Sequence, residues 1–134
     1  MKEETMTLLD HNTQPQEKWR DGVMTQMRVS ATVTAHQLCI FDQYCEPGLG
    51  APMHLHAVEE VLEVFSGTAE ITLGTETMTV TANQSVLIPA GARHGFKNIG
   101  TDILHVRATL AAAIFEASYD DRNELSRRYL PKPA

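Results

Sequence analysis

His54 and His56 stand two residues apart in "APMHLHAVEE", which ends on the carboxylates Glu59 and Glu60, and a third histidine, His94, lies in "PAGARHGFKN". Imidazole nitrogen and carboxylate oxygen are donors that divalent transition metals readily take, so these residues are candidates for a metal site. In an extended strand, positions i and i+2 point to one face, which puts both imidazoles of H-x-H on the same side. The apolar run that begins at Glu60 continues with Leu62 and Val64 on Glu60's side. Glu60 therefore faces inward, while Glu59 has the opposite parity and faces water. His94 enters its own run with Phe96 and Asn98 on its side. Taken singly, each element has a plainer reading: H-x-H as a strand with polar residues at its edge, and His94 as a satisfied core histidine.

Such side chains need a scaffold of strands, and the sequence supplies one. Short runs rich in Val, Ile, Thr, Leu and Phe recur from about residue 23: "VMTQMRVS", "QLCIFDQYC", "PMHLHA", "EVLEVFSG", "TAEITLG", "ETMTVTA", "SVLIPAG", "HGFKNIG" and "ILHVRATL". Gly67, Gly74, Asn83, Gly91 and Gly100 separate them as turn residues do. Many short strands without helical crossovers imply an all-β sandwich or barrel. The barrel is expected over residues 23–112, after a polar, aperiodic arm over 1–22 whose one large apolar anchor is Trp19. A C-terminal tail over 113–134 contains "DDRNELSRRYL", with acids first and bases last, which predicts a short helix stopped by Pro131 and Pro133.

The two histidine clusters together resemble the paired motifs of the cupin superfamily. Gly48, five residues, His54-x-His56, three residues, Glu60, six residues, Gly67 satisfies the first motif. Pro89-x-Gly91, two residues, His94, three residues, Asn98 satisfies the second, with Asn83 where the family usually has its first glycine. Asn tolerates a left-handed turn better than most residues, so the departure is mild. The resemblance implies a small single-domain cupin barrel, an antiparallel jelly roll or double-stranded β-helix. It also implies one divalent transition metal held by His54, His56, Glu60 and His94, with Fe, Mn, Ni, Cu and Zn all compatible. Gly48, Gly67 and Gly91 then serve turns, Pro89 stiffens the approach to His94, and Asn98 is a structural hydrogen-bonding residue. Three neutral nitrogens and one carboxylate would leave the ion with net charge +1 and one or two open positions.

Strand alternation suggests a lining of Cys39, Phe41, Gln43, Cys45, Leu62, Val64 and Phe96, mostly apolar, with Gln43 its neutral polar group. Arg93 and Lys97 have the wrong parity to face the metal, so no phosphate clamp is evident. Arg107 would supply an anion-binding group if it entered the barrel with His105. His11, His36 and His105 read as surface or satisfied residues. The lining favours a metal-dependent enzyme on a small organic molecule, dioxygenase-like ahead of isomerase- or lyase-like. The alternative is a non-catalytic barrel that binds metal and a small ligand.

Eleven basic and seventeen acidic residues give a net charge of -6, with no basic cluster, which argues against nucleic acid or an anionic membrane as partner. No apolar run is long enough to span a bilayer, and the acidic N-terminus lacks a signal sequence, so a cytoplasmic location is expected. Cys39 and Cys45, six residues apart on one extended segment, would sit about 20 Å apart. That is beyond the roughly 7 Å reach of a disulfide, and both read as reduced core thiols. Val61 and Phe65, with Val58 nearby, lie on the outward side, which a homodimer would cover.

Overall fold

Each of the nine apolar runs forms a strand in the computed structural model, which describes residues 4–131. In chain order the strands are β1 (Gln16–Arg20), β2 (Val23–Val29), β3 (Cys39–Cys45), β4 (Gly50–Leu55), β5 (Glu60–Ser66) and β6 (Thr68–Leu73). They continue as β7 (Glu76–Thr81), β8 (Gln84–Ile88), β9 (His94–Asn98), β10 (Leu104–Leu110), β11 (Phe115–Tyr119) and β12 (Leu125–Arg128). The one helical segment among the described residues is a single 3-10 turn, Ala31–Val33.

The strands build two six-stranded sheets, ordered β1-β2-β3-β10-β5-β8 and β12-β11-β4-β9-β6-β7. All the strand pairs are antiparallel. This is the jelly-roll arrangement that the strand rhythm and the motifs imply. Period-two alternation sends one side of each sheet to a shared core. In β10, Leu104, Val106, Ala108 and Leu110 are buried while His105, Arg107 and Thr109 stay partly exposed. Each large apolar side chain buried in this way contributes about 2 kcal/mol.

Two local features place the histidine-bearing strands. Asn83 takes φ 67° at the turn before β8, the left-handed conformation expected of the residue standing in for glycine. Between β4 and β9 the backbones come unusually close: a Cβ at Gly50 would lie 2.2 Å from the Phe96 carbonyl oxygen, and one at Gly95 2.7 Å from that of Ala51. Only glycine fits at both points. The pairing, irregular between Ala51 and His54, sets His54 directly opposite His94.

The sheets extend past the 23–112 span at both ends. Within the N-terminal arm, Gln16–Arg20 is strand β1, paired with β2, and the Trp19 ring docks against Phe41 and Phe115 at 5.1 and 4.8 Å. The short helix expected within Asp120–Leu130 is not formed; Leu125–Arg128 is instead strand β12 on β11. A segment this short is marginal as an isolated helix, and pairing with β11 supplies its backbone hydrogen bonds instead. The alternating exposure of this segment suits an edge strand, and Arg127, assigned to a helix dipole, makes a cross-strand pair with Glu116 at 2.5 Å. Pro133 lies outside the described residues.

Candidate metal centre

β4 carries His54, His56 follows it, β5 opens with Glu60 and β9 opens with His94. All four are buried, between 1% and 5% exposed. Their donor atoms lie within 4.8 Å of one another. Glu59 is exposed, so the two adjacent carboxylates divide between the cluster and water as their parity requires.

Backbone carbonyls orient each imidazole. Nδ1 of His54 donates to Pro52 at 2.6 Å, Nδ1 of His56 to Glu116 at 2.7 Å, and Nδ1 of His94 to Ala92 at 2.9 Å. With Nδ1 as the protonated nitrogen, a neutral ring presents the Nε2 lone pair to the centre. Buried Nε2 of His56 has no hydrogen-bond partner and stands 3.6 Å from Glu60 Oε2. His94 Nε2 lies 2.7 Å from Glu60 Oε1, a contact that needs an added proton in the bare protein but none when both atoms ligate a cation. An orphaned buried nitrogen and a nitrogen–carboxylate contact short of a proton are what a cation would satisfy, so the residues fit a metal.

The local electrostatics point the same way. Burial, with help from the neighbouring His94, pushes His54 down to about 4 and keeps it neutral. Burial also lowers His56, but its contact with Glu60 outweighs this and the net shift is upward. Burial would raise Glu60, but its charge contact with His56 and its bond to His94 outweigh this and hold it below the usual carboxylate range. The carboxylate is therefore ionised, among rings that bring no permanent positive charge.

The cluster opens on a cavity whose enclosed part has room for about one water. Phe41, Gln43, Leu62 and Phe96 line it. Cys39, Cys45 and Val64 share the inward side of their strands but are buried in the core beyond the cavity wall. Alternation gives a side chain's facing, not its height along the barrel, so an inward side chain need not reach the cavity. Burial raises both thiols to about 12, so they are inert there. Gln43 Nε2 donates to Thr25 Oγ1 at 3.1 Å, which fixes the amide. Asn98 Nδ2 donates to the carbonyls of Cys45 and Asp102 at 2.9 and 2.8 Å, and Oδ1 accepts from Gly100 N, tying the end of β9 to β3. Gly48, Gly67 and Gly91 occupy left-handed turns, at φ 84°, 90° and 78°, and Gly91 N bonds the His56 carbonyl at 2.7 Å.

Arg107 does not enter the barrel. It lies with His105 on the outer face and bonds Asp42, because both belong to the outward set of β10. The cation at the cavity is Arg20, with Trp19 beside it, and Phe115 and Tyr119 of β11 complete the same wall. The apolar i, i+2, i+4 spacing of Phe115, Ala117 and Tyr119 was the signal for this strand. Nothing comparable marked Arg20.

A family model described as "Cupin domain" matches residues 42–110, which hold all four donors. A stretch of 53 residues is 49% identical to Mannose-1-phosphate guanylyltransferase 2 of Escherichia coli O157:H7, covering 40% of this chain and 11% of that protein. The Xanthan biosynthesis protein XanB of Xanthomonas campestris pv. campestris is 47% identical over 57 residues, 41% of this chain and 12% of that one. The chain thus spans about a tenth of the length of these relatives. Among solved structures, an RmlC-like cupin from Shewanella frigidimarina superposes with a TM-score of 0.71 at 18% identity, over 81% of this chain and 93% of that one. A predicted oxalate decarboxylase from Thermotoga maritima does so with a TM-score of 0.72 at 14% identity, over 79% and 99%. Its motifs, its two-sheet barrel and a family match over more than half its length agree, and the chain belongs to the cupin family.

Proposed function

We propose that His54, His56, Glu60 and His94 hold one divalent transition metal and that the chain is a metal-dependent enzyme on a small organic molecule, with oxygen chemistry ahead of isomerase or lyase chemistry. The observation that carries this reading is the buried, unpartnered His56 Nε2 facing Glu60 among two further imidazoles. When bound, such an ion supplies Lewis-acid or redox chemistry at positions that four protein ligands leave open. The chain's own part is positioning. The carbonyls of Pro52, Ala92 and Glu116 hold the rings, and Phe41, Leu62 and Phe96 exclude water. Gln43 offers a fixed amide to orient a ligand.

Oxygen chemistry is favoured because free acid–base groups are scarce in the cavity: Glu60 is engaged by two imidazoles and the buried thiols are inert. Anaerobic purification with elemental analysis, then an oxygen-uptake screen over small phenols, diketones and thiols, tests it. Iron or another redox metal with uptake supports the reading; tightly bound zinc without uptake overturns the oxygen chemistry. One observation favours the isomerase or lyase alternative. The Tyr119 ring lies in the cavity wall 5.1 Å from that of His54, and it carries a hydroxyl, a group able to transfer a proton.

Two further elements belong to the proposal. Free buried Cys39 and Cys45 suit a reducing compartment, the cytoplasm, and no described helix is long and apolar enough to cross a membrane. Half-buried Val61 with exposed Phe65 supports a homodimer that covers the outer face of β5, whereas Val58 packs against the core.

A further inference from the structure

Arg20 differs in its surroundings from the other arginines. Arg28, Arg93, Arg107, Arg122 and Arg127 each pair with a carboxylate, and Arg128 lies over the Trp19 ring at 4.1 Å. Arg20 has no carboxylate partner among the described residues, although it is half-buried in the wall of the cavity that holds the four donors. Nη1 donates to the Gly50 carbonyl at 3.0 Å, and Nη2 to the Tyr119 hydroxyl at a long 3.4 Å. A guanidinium carries five N–H donors in a planar fork, so most of its capacity is unspent and both partners are neutral.

We infer that Arg20 anchors the carboxylate of a small carboxylic acid at the cavity mouth, with the rest of that molecule directed along Tyr119 toward the His–Glu cluster. This rests on the metal-site reading for the direction of the ligand. Guanidinium–carboxylate pairs are the charge-assisted, two-pronged bonds that such an unspent fork is built to make. The Tyr119 ring connects the two ends: its centroid lies 5.6 Å from Arg20 Cζ and 5.1 Å from the His54 ring. The charges agree as well. A divalent ion on three imidazoles and Glu60 carries +1 and Arg20 another, inside a chain of net charge -6, so the cavity is a local positive focus. A phosphate fits less well, because neither a lysine nor a second arginine lines the cavity to share its charge.

The test uses the full chain loaded with zinc, its metal content measured first, and titrated by calorimetry with butyrate, the neutral isostere butyramide, or inorganic phosphate. Arg20→Gln and Arg20→Lys are compared with the wild type after circular dichroism has verified their fold. The expected result is binding of butyrate to the wild type, a loss of about tenfold or more in Arg20→Gln, and partial retention in Arg20→Lys. Butyramide should bind weakly and alike to all three. No butyrate binding to the wild type, equal binding by Arg20→Gln, or tighter binding of phosphate than of butyrate overturns the inference. Absence of zinc in the loaded protein would instead defeat the metal reading, and the same titrations on the metal-free chain still decide the anchor.

Discussion

Two carboxylates are buried on the β1-β2-β3-β10-β5-β8 sheet, one on each side of it. Glu60 of β5 points into the barrel and Asp42 of β3 points out, and they are 3% and 0% exposed. Asp42 is met by Arg107 at 2.7 and 3.1 Å, by His105 at 2.7 Å and by Arg28 at 2.9 Å, the last a charge contact without an aligned hydrogen bond. Two permanent guanidinium charges exceed the one negative charge they surround. Stacking completes the cluster: His105 lies between Tyr44 and Phe65 at 4.4 and 5.0 Å, and Arg107 lies 4.4 Å above Phe65. Glu60 has only imidazoles, rings whose Nδ1 hydrogens are committed to backbone and whose Nε2 atoms face the carboxylate. A buried carboxylate among fixed cations is a structural tie, and one among lone pairs lacks a cation. The identity of the partners, rather than burial, separates the two.

Removing donors on the inner side should have the largest effect. His54→Ala, His56→Ala and His94→Ala are each expected to lower metal affinity by more than roughly a hundredfold, beyond the range for loss of a supporting outer-shell contact. Elemental analysis after dialysis reads this directly, and full occupancy in all three variants would break the comparison. The outer cluster should behave differently. Asp42→Asn leaves Arg28 and Arg107 facing a neutral amide and should cost about 3 kcal/mol of stability, with metal content unchanged. Denaturant unfolding and metal analysis of the same sample separate the two results.

Acid should separate the carboxylates next. Metal binding requires neutral imidazoles; burial keeps His54 neutral down to about 4 while the contact with Glu60 raises His56, so protonation of His56 should release the ion first as pH falls. Burial raises Asp42, but its bonds to His105 and Arg107 outweigh that and hold it at about 2, against an ordinary 3.8. Its folded value is depressed, so its stabilisation of about 2 kcal/mol is fully present above the ordinary value and is lost as pH falls through about 2. Two acid transitions, the metal lost first, are expected in a titration followed by metal release and circular dichroism; simultaneous loss would argue that both clusters depend on the ion. A smaller effect concerns the outer surface. Phe65→Glu should shift a dimer toward monomer in sedimentation and leave the metal in place, whereas a wild type already monomeric at micromolar concentration would remove the dimer proposal.

Much of the inner site was legible because its information is local. H-x-H parity, the opposite parities of Glu59 and Glu60, and the turn residues before His94 follow from a two-residue repeat and from backbone limits at Asn83 and the glycines. The outer network was not legible. Asp42, His105 and Arg107 belong to strands more than sixty positions apart, and only the β3–β10 register brings Asp42 opposite Arg107. The C-terminal segment misled because a gradient from acid to base suits a helix dipole and a cross-strand pair equally, and β11 was free to pair.

The amino-acid sequence alone therefore determined the family, the all-β barrel and the four residues that converge, since each follows from spacing along one strand or turn. Tertiary structure decided how those residues are held and what they face. It put the Glu116 carbonyl on His56, set Gly50 and Gly95 where β4 and β9 nearly touch, and closed the cavity with Trp19, Arg20 and Tyr119 from the two ends of the chain. Those contacts depend on which strands become neighbours, a choice made by burying the whole core at once, and no local pattern encodes it.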